Sequence, residues 1–310
     1  MLEVRDLKKY FLLNNNQKLW AVNGVSFKVQ KNEALGIVGE SGCGKSTLGR
    51  LILRLIEPGS GQVFFEGNEI TGISRRELRP KRRMMQMVFQ NPFASFNPKI
   101  QIGKSLSEVC KYYGESREKI DRLLDDTSLS SDLLNRWPRE LSGGQLQRLA
   151  IVRALISEPS LLVADEPLAS LDVSVQAQLI NLLEDIRKTR AMTMIFISHD
   201  MNVVEYFCDR AAVMYMGVIM ELIPASKLCG ALHPYTKSLR AAAPRLDVFK
   251  GDAQTETPSP AITGETPNPR LQVSGCPFAP RCPDAKPECA DALPELREVS
   301  DGHWVRCRGL

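Results

Sequence analysis

The sequence predicts an α/β protein with a buried parallel sheet, an inserted helical segment and a small cysteine-bearing tail. Three observations support this fold class: short apolar runs followed by helical spacing, a long stretch without strong strand runs, and four of eight cysteines within the last 35 residues. Buried strands that alternate with helices favour a parallel sheet. A chain of 310 residues with 43% hydrophobic residues is sufficient for one large domain or two modest ones.

Three apolar runs are the strand candidates of the sheet, namely Ala34–Val38, Ser160–Ala164 and Met192–Ser198. Each is short and mostly apolar, which is typical of strands that are buried on both faces. The first two precede stretches with helical periodicity, so the pattern indicates strand–helix units.

Helical spacing of apolar residues defines the helices that follow these strands. The apolar positions recur at intervals of three or four: Leu48, Leu51 or Ile52, and Leu55 after the first strand, and Val175, Leu179, Leu182 and Ile186 after the second. Residues from about 92 to 158 predict a mainly helical insertion into the α/β core.

Composition also divides the chain. Residues 251–270 are rich in Pro, Thr, Gly and Glu, a composition that cannot bury a core. We therefore expect a body over residues 1–245, with the helical segment at about 92–158. A Pro/Thr-rich linker over 246–270 and a Cys-rich C-terminal region over 271–310 complete the division.

Charge and hydropathy exclude several classes of protein. With 40 Lys+Arg against 36 Asp+Glu, the net charge of +4 argues against a dedicated nucleic-acid binder. The densest basic run, Ser74–Arg83, lacks the interleaved aromatic residues that stack on bases. We therefore expect it to form a solvent-exposed surface. The N-terminus, Met1–Phe11, is too charged for a secretory signal. The longest apolar stretch, Ala211–Ile223, is shorter than the roughly 18 residues of a membrane span.

A phosphate-binding loop is predicted directly after the first strand. Residues 39–46 read Gly-Glu-Ser-Gly-Cys-Gly-Lys-Ser and fit G-x-x-x-x-G-K-[ST]. The glycines let backbone N–H groups turn inward, and those groups with the helix N-terminus bind phosphate. The side chain of Lys45 reaches the phosphates, and Ser46 offers a hydroxyl to Mg²⁺. The candidate nucleotide-binding residues here are Gly39, Ser41, Gly42, Cys43, Gly44, Lys45, Ser46 and Thr47.

Two acids end the second strand candidate, in the run Leu-Leu-Val-Ala-Asp165-Glu166. Phosphoryl transfer depends on positioning and charge stabilisation. We therefore expect Asp165 to hold Mg²⁺ and Glu166 to polarise the attacking water.

Between these sites stands Leu141-Ser-Gly-Gly-Gln145, here called the signature segment. In this order the motifs resemble the ATP-binding subunits of ABC transporters over residues 1–245. The resemblance implies a P-loop NTPase core of the RecA-like type, an inserted α-helical subdomain and an N-terminal antiparallel β portion. It also implies an ATPase that uses ATP and Mg²⁺.

Further motifs take their roles from the resemblance. Gln90 lies where the family has its Q-loop and is implied as a catalytic and Mg²⁺-binding residue. The segment Ala169–Asp172 is similar to the D-loop, and His199 is similar to the switch histidine that contacts the γ-phosphate. The catalytic residues that the resemblance implies are Glu166, Gln90 and His199.

The signature segment is expected to act in a dimer. Ser142, Gly143, Gly144 and Gln145 stand at the start of a helical pattern and form a second anion-binding nest. In ABC proteins each nucleotide lies between the phosphate loop of one subunit and the signature of the other. The resemblance therefore implies a head-to-tail dimer that ATP closes.

Several aromatic residues have more than one possible role. Tyr10 stands where the family stacks a ring on adenine, with Phe11 and Trp20 as alternatives. Phe93 and Phe96 are assigned equally to the core and to a groove that receives a permease's coupling helix.

Further motifs in both halves of the chain point to one subfamily of these ATPases. His233-Pro-Tyr-Thr236 resembles a stretch of the oligopeptide/dipeptide import ATPases, and residues 39–50 and 87–98 look like the second of their two paired ATPases. This implies a motor subunit at the cytoplasmic face of the membrane, with a homologous ATPase, two permeases and an external substrate-binding protein. Import of nickel or another small solute, and a soluble ABC ATPase acting on DNA or ribosomes, are the alternatives.

The last four cysteines, Cys276, Cys282, Cys289 and Cys307, are spaced x5, x6 and x17. Disulfides are uncommon in the cytosol, and zinc sites usually contain closer cysteine pairs. Four thiolates can hold a [4Fe–4S] cluster, and the resemblance implies one, because several peptide-import ATPases carry it in this tail. Zinc and free thiols remain the alternatives.

Overall fold

The computed structural model describes residues 1–13, 17–169, 171–242 and 274–309. Strands are numbered in chain order. They are β1 (Leu2–Leu12), β2 (Lys18–Val29), β3 (Ala34–Val38), β4 (Ser60–Phe65), β5 (Asn68–Glu69), β6 (Met85–Val88), β7 (Leu161–Asp165), β8 (Thr193–Ser198), β9 (Arg210–Tyr215), β10 (Val218–Pro224), β11 (Arg297–Ser300) and β12 (His303–Val305).

The helices are numbered in the same way. They are α1 (Lys45–Ile52), α2 (Arg75–Met84), α3 (Ile102–Tyr113), α4 (Glu118–Asp126), α5 (Gly143–Leu155), α6 (Val173–Arg190), α7 (Met201–Phe207) and α8 (Pro234–Ala242). Short 3-10 turns lie between several of them.

The chain divides into two compact units. The first unit is built from residues 1–29, 34–71 and the chain from 198 onward, and the second from residues 30–33 and 72–197. Each unit contains its own strands and helices.

An antiparallel sheet in the first unit has the strand order β2-β1-β4-β5. In β1, Leu2, Val4 and Leu7 are buried and the residues between them are more exposed. This pattern fits a sheet with one face on the core. It is the N-terminal antiparallel portion that the family resemblance implies.

The first unit also contains a parallel pair. Strand β3 is buried at all five positions and runs parallel to β9, with Gly36 opposite Ala211. Strand β10 is antiparallel to β9, and the tail hairpin β11–β12 continues from β10. The apolar stretch 211–223 is thus the β9–β10 hairpin.

Strands β6, β7 and β8 of the second unit are parallel to one another. All five residues of β7 are buried, as expected for a strand covered on both faces. Helices α3, α4 and α5 occupy the chain between β6 and β7. The structure is therefore α/β, and all three strand candidates are strands within one residue of the expected bounds.

One helix is shorter than its apolar pattern predicts. Helix α1 ends at Ile52, and Leu55 is 44% exposed, so the prediction that Leu55 continues the helical face is wrong. The backbone of Arg54 takes a left-handed conformation with φ of 51°, and its Nη1 donates to the carbonyl of Ile70 at 2.8 Å. The Leu55 N–H donates back to the Arg50 carbonyl at 2.8 Å, so the left-handed residue ends the helix.

The basic run 74–83 forms most of α2. Ser74 caps it, with its hydroxyl accepting from the Glu77 N–H and the Glu77 carboxylate accepting from the Ser74 N–H. Leu78 is the buried residue of this helix, and its basic side chains lie largely in solvent. None of the described helices is long and apolar enough to cross a membrane. The linker predicted over 246–270 lies outside the described residues.

Candidate nucleotide site

The phosphate loop connects β3 to α1 in the first unit. Gly44 precedes the helix with φ of 105°, and a Cβ at this position would lie 1.9 Å from the carbonyl oxygen of Ala21. Only glycine fits such a combination of left-handed backbone and close approach. The first N–H groups of α1 follow directly, and helix N-terminal N–H groups lack partners within the helix.

Lys45 lies against the loop that it follows. Its Nζ donates to the carbonyls of Gly39 at 2.7 Å and Glu40 at 2.9 Å, and the residue is 4% exposed. A buried ammonium needs such partners, because burial without them is costly. The loop therefore holds a positive charge beside a helix N-terminus, an arrangement that fits phosphate.

The other loop residues differ in accessibility. Ser41 and Gly42 are exposed, while Ser46 and Thr47 are half-buried in the first turn of α1. Cys43 is buried, and burial raises the pKa of its thiol. Cys43 therefore fills space under the loop as a neutral thiol.

The acidic pair closes β7 in the second unit. Asp165 is buried as the last residue of the strand, and Glu166 follows with φ of 45°. The N–H of Glu166 donates to the carbonyl of Ile197 at 2.9 Å, which fixes the turn against β8. Carboxylates at a strand end are oxygen ligands of the kind that Mg²⁺ prefers.

Gln90 contacts this pair directly. Its Nε2 donates to Oε2 of Glu166 at 2.9 Å, although the two residues lie 76 positions apart. The sequence predicts both residues but not their contact, since nothing in the spacing connects them. The hydrogen bond orients the Glu166 carboxylate.

The signature segment begins α5 with a capping box. The Ser142 hydroxyl accepts from the Gln145 N–H at 3.2 Å, and the Gln145 side-chain oxygen accepts from the Ser142 N–H at 3.0 Å. Ser142 and Gly143 are exposed. These two hydrogen bonds fix the backbone of the segment, and its exposed residues Ser142 and Gly143 are accessible to a ligand or a partner.

The signature segment also packs against the start of α6. A Cβ on Gly144 would lie 2.7 Å from Cγ1 of Val175, so this glycine permits close approach of the two helices. Asp172 caps α6 by accepting from the Val175 N–H at 3.0 Å. A hydrogen bond from the Ser174 hydroxyl lowers the pKa of Asp172 and keeps it ionised.

Other predicted site residues belong to the first unit. His199 is exposed between β8 and α7. Tyr10 and Trp20 are a cross-strand pair with ring centroids 5.2 Å apart, and Lys18 Nζ lies 4.6 Å above the Tyr10 ring. Two of the three candidates for adenine stacking therefore form one aromatic surface, and the third, Phe11, is 41% exposed.

Phe93 and Phe96 have different environments. Phe96 is buried and belongs to the core, whereas Phe93 is 48% exposed. The groove assignment therefore applies to Phe93 alone.

The tail cysteines lie in one folded segment. The Cys276 N–H donates to the Cys289 carbonyl at 2.8 Å, and burial together with the nearby Cys289 and Cys307 raises the pKa of Cys276. None of the eight cysteines forms a disulfide. Across the described ranges, no three His, Cys, Asp or Glu side chains are arranged to hold a metal ion. The observed geometry thus does not support the predicted iron–sulfur cluster, nor the zinc alternative.

Comparisons with known proteins agree with the phosphate loop, the acidic pair and the signature segment. The ABC transporter profile matches residues 22–169, and that of the oligopeptide/dipeptide transporter C-terminal region matches residues 220–289. A putative peptide import ATP-binding protein of Brucella ovis is 45% identical over 99% of this chain and 97% of its own length. The chain belongs to the ABC transporter family. An oligopeptide transport ATP-binding protein of Bacillus subtilis is 43% identical over 99% of this chain and 96% of its own length.

Solved structures place the fold among ABC ATPase cassettes. A dimeric ATP-binding cassette, MJ0796, in a post-hydrolysis state bound to ADP and phosphate, matches with a TM-score of 0.67 and 26% identity. The match covers 73% of this chain and 99% of the cassette. The cassette cbiO1 of Clostridium perfringens matches with a TM-score of 0.65 and 27% identity, over 74% and 90% of the two chains. This ABC family member is an ATPase, and binding of ATP with Mg²⁺ fits its residues.

Proposed function

We propose that this ABC ATPase is the motor subunit of an importer of di- and oligopeptides. The observation that carries the proposal is the oligopeptide/dipeptide transporter region at residues 220–289, on the same chain as the cassette. Relatives named for peptide import or for oligopeptide transport match over nearly the whole chain. Fold alone does not decide cargo, because one motor fold serves many transporters.

The proposed residue roles in the first unit concern the nucleotide. Lys45 and the N–H groups at the start of α1 bind the phosphates, and the aromatic surface around Tyr10 receives adenine. Ser46 offers its hydroxyl to Mg²⁺, which neutralises phosphate charge when bound. His199 donates a hydrogen bond to the γ-phosphate.

In the second unit the proposed roles concern metal and water. Asp165 and Gln90 offer oxygen ligands to Mg²⁺. Glu166 accepts a proton from the attacking water, and the 2.9 Å hydrogen bond from Gln90 holds its carboxylate in one orientation. Such orientation is the main protein contribution to phosphoryl transfer.

We propose that two ATP-binding subunits form the working unit. The segment Ser142–Gln145 of one subunit, exposed at Ser142 and Gly143, contacts the nucleotide bound to the other. Asp172 caps α6, and Val175 of that helix lies against Gly144. ATP then favours the closed dimer because it contacts both subunits only in that state. A homologous ATPase, two permeases and an external substrate-binding protein complete the transporter, with this chain peripheral at the cytoplasmic face.

Uptake by the reconstituted transporter tests the cargo. Proteoliposomes with ATP inside are expected to accumulate a labelled tripeptide, and unlabelled di- and oligopeptides are expected to compete. Labelled nickel(II), offered without peptide, serves as the matched alternative cargo. Nickel uptake that peptides do not reduce, with no peptide uptake, would contradict peptide import and favour the small-solute alternative. If neither cargo moves while DNA or ribosomes stimulate hydrolysis, the soluble alternative gains support.

We separately propose a [4Fe–4S] cluster on the four tail cysteines, which rests on their number and on the family resemblance. Anaerobic purification is expected to yield about four irons and four sulfides per chain and a brown colour. Cys276→Ser is expected to lose them, whereas Cys229→Ser, outside the tail, is expected to keep them. A colourless preparation that contains zinc, or no metal at all, would refute the cluster.

A further inference from the structure

A side chain of the cysteine tail contacts the phosphate loop. Nη1 of Arg281 lies 3.0 Å from both carboxylate oxygens of Glu40, the second residue of the loop. The Arg281 side chain is 8% exposed and that of Glu40 is 19% exposed. The two residues are 241 positions apart, so sequence periodicity gives no signal of the contact.

Glu40 is held through each of its polar groups. Its N–H donates to the Tyr235 hydroxyl at 3.0 Å, and its carbonyl accepts from Lys45 Nζ at 2.9 Å. Arg281 holds the carboxylate. Glu40 therefore links the tail and α8 to the lysine of the phosphate loop.

The tail is seated firmly enough to position Arg281. Phe278 is fully buried, with ring centroids 5.2 Å from Tyr235 and 5.5 Å from Tyr215. The 3-10 turn Ala279–Arg281 follows directly, and the Tyr215 hydroxyl accepts a second hydrogen bond from Arg281 Nη1 at 3.2 Å. Burial of an aromatic ring is strongly favourable, so the position of Arg281 is fixed by packing.

Stability alone explains this ion pair poorly. Removing a guanidinium from water is costly, and buried ion pairs often contribute little net stability. Among the described residues, Arg281 Nε has no hydrogen-bond partner, which adds to the cost. A contact with this cost fits a role in holding the glycine-rich loop, whose backbone is otherwise free to take many conformations.

We propose that Arg281 is a positioning residue for nucleotide binding. It holds Glu40, and through Glu40 the loop and Lys45, in the conformation that receives phosphate. Fixing a flexible loop before binding increases affinity, because less conformational entropy is lost on binding. The inference rests on the proposed function of the loop as the ATP site.

Calorimetric titration of the full chain with AMP-PNP and Mg²⁺ tests the inference. Arg281→Gln is expected to raise the Kd about three- to tenfold, a fraction of what a charge-assisted hydrogen bond contributes. Glu40→Gln is expected to raise it similarly, and the double variant no further than the larger single effect, because both remove one contact. Arg308→Gln, at an exposed tail arginine, is the matched control and is expected to leave the Kd unchanged. In the assembled transporter, Arg281→Gln is expected to raise the KM for ATP with kcat preserved.

Several outcomes would overturn the inference. One is a Kd that stays at the wild-type value in both Arg281→Gln and Glu40→Gln while Lys45→Ala abolishes binding; the ATP site itself would then stand. Another is a lower thermal midpoint for Arg281→Gln with an unchanged Kd, which would make the contact structural only. If Arg281→Gln does not fold, Glu40→Gln and Arg281→Lys decide, since Arg281→Lys keeps the charge and is expected to bind more tightly than Glu40→Gln. Wild-type binding by Lys45→Ala would instead overturn the proposed nucleotide site.

Discussion

Glu166→Gln is expected to keep ATP binding and to lower ATP hydrolysis by roughly 10²–10⁴-fold, the range that a positioned general base contributes. The change replaces one carboxylate oxygen by an amide nitrogen and preserves the shape of the side chain. It removes the proton acceptor that Gln90 orients through the 2.9 Å hydrogen bond. Phosphate release by the assembled transporter measures hydrolysis, and calorimetry of the isolated chain with AMP-PNP and Mg²⁺ measures binding.

Glu184→Gln is the matched control for this prediction. Glu184 lies on α6 in the same unit, where its carboxylate pairs with Lys188 at 2.6 Å on the helix surface. Surface pairs of this kind contribute little, typically below about 1 kcal/mol, so turnover is expected to stay near the wild-type value. Glu166→Gln that hydrolyses ATP as fast as Glu184→Gln would exclude Glu166 as the base.

Ser142→Arg is expected to lower the ATPase activity of the assembled transporter on the order of 100-fold, as misplacement of a reacting group can do. Ser142 is exposed at the start of α5, so the larger, charged side chain occupies the face proposed to meet the partner's nucleotide. Binding of AMP-PNP by the isolated chain is expected to remain, because the phosphate loop is on the other unit.

The substitution also removes a helix cap, which costs about 1 kcal/mol of stability. Ser130→Arg controls for this, since Ser130 is an exposed serine that caps a 3-10 turn in the same unit. Full ATPase activity of Ser142→Arg in the transporter would contradict the shared site. An equal loss in Ser130→Arg would assign the effect to capping and not to the partner's nucleotide.

Local features of the fold could be predicted from the sequence because they depend on neighbouring residues. Strand β3, the glycine loop and the start of α1 follow one another within 19 residues, and their apolar, glycine and helical patterns are local. The strand candidates 160–164 and 192–198 are mostly apolar and correspond to the buried strands β7 and β8. The pattern of apolar residues therefore predicts such elements well.

Features that depend on distant contacts could not be predicted in this way. The apolar pattern extends α1 to Leu55, but the left-handed backbone of Arg54, whose side chain bonds to the distant carbonyl of Ile70, ends it earlier. The Gln90–Glu166 and Arg281–Glu40 contacts join residues 76 and 241 positions apart, and no local pattern encodes them. The acidic end of an apolar strand indicated the role of Glu166, and the resemblance to a family supplied that of Gln90. Neither gave an indication of Arg281.

The most direct measurement of the account records ATP hydrolysis and labelled-peptide uptake together, in the same proteoliposomes, for wild-type and Glu166→Gln transporters. The account predicts that peptide accumulates only with ATP, and that hydrolysis and uptake fall together in Glu166→Gln while the complex stays assembled. Peptide accumulation at the wild-type rate in Glu166→Gln vesicles that no longer hydrolyse ATP would contradict the claim that this chain is the motor.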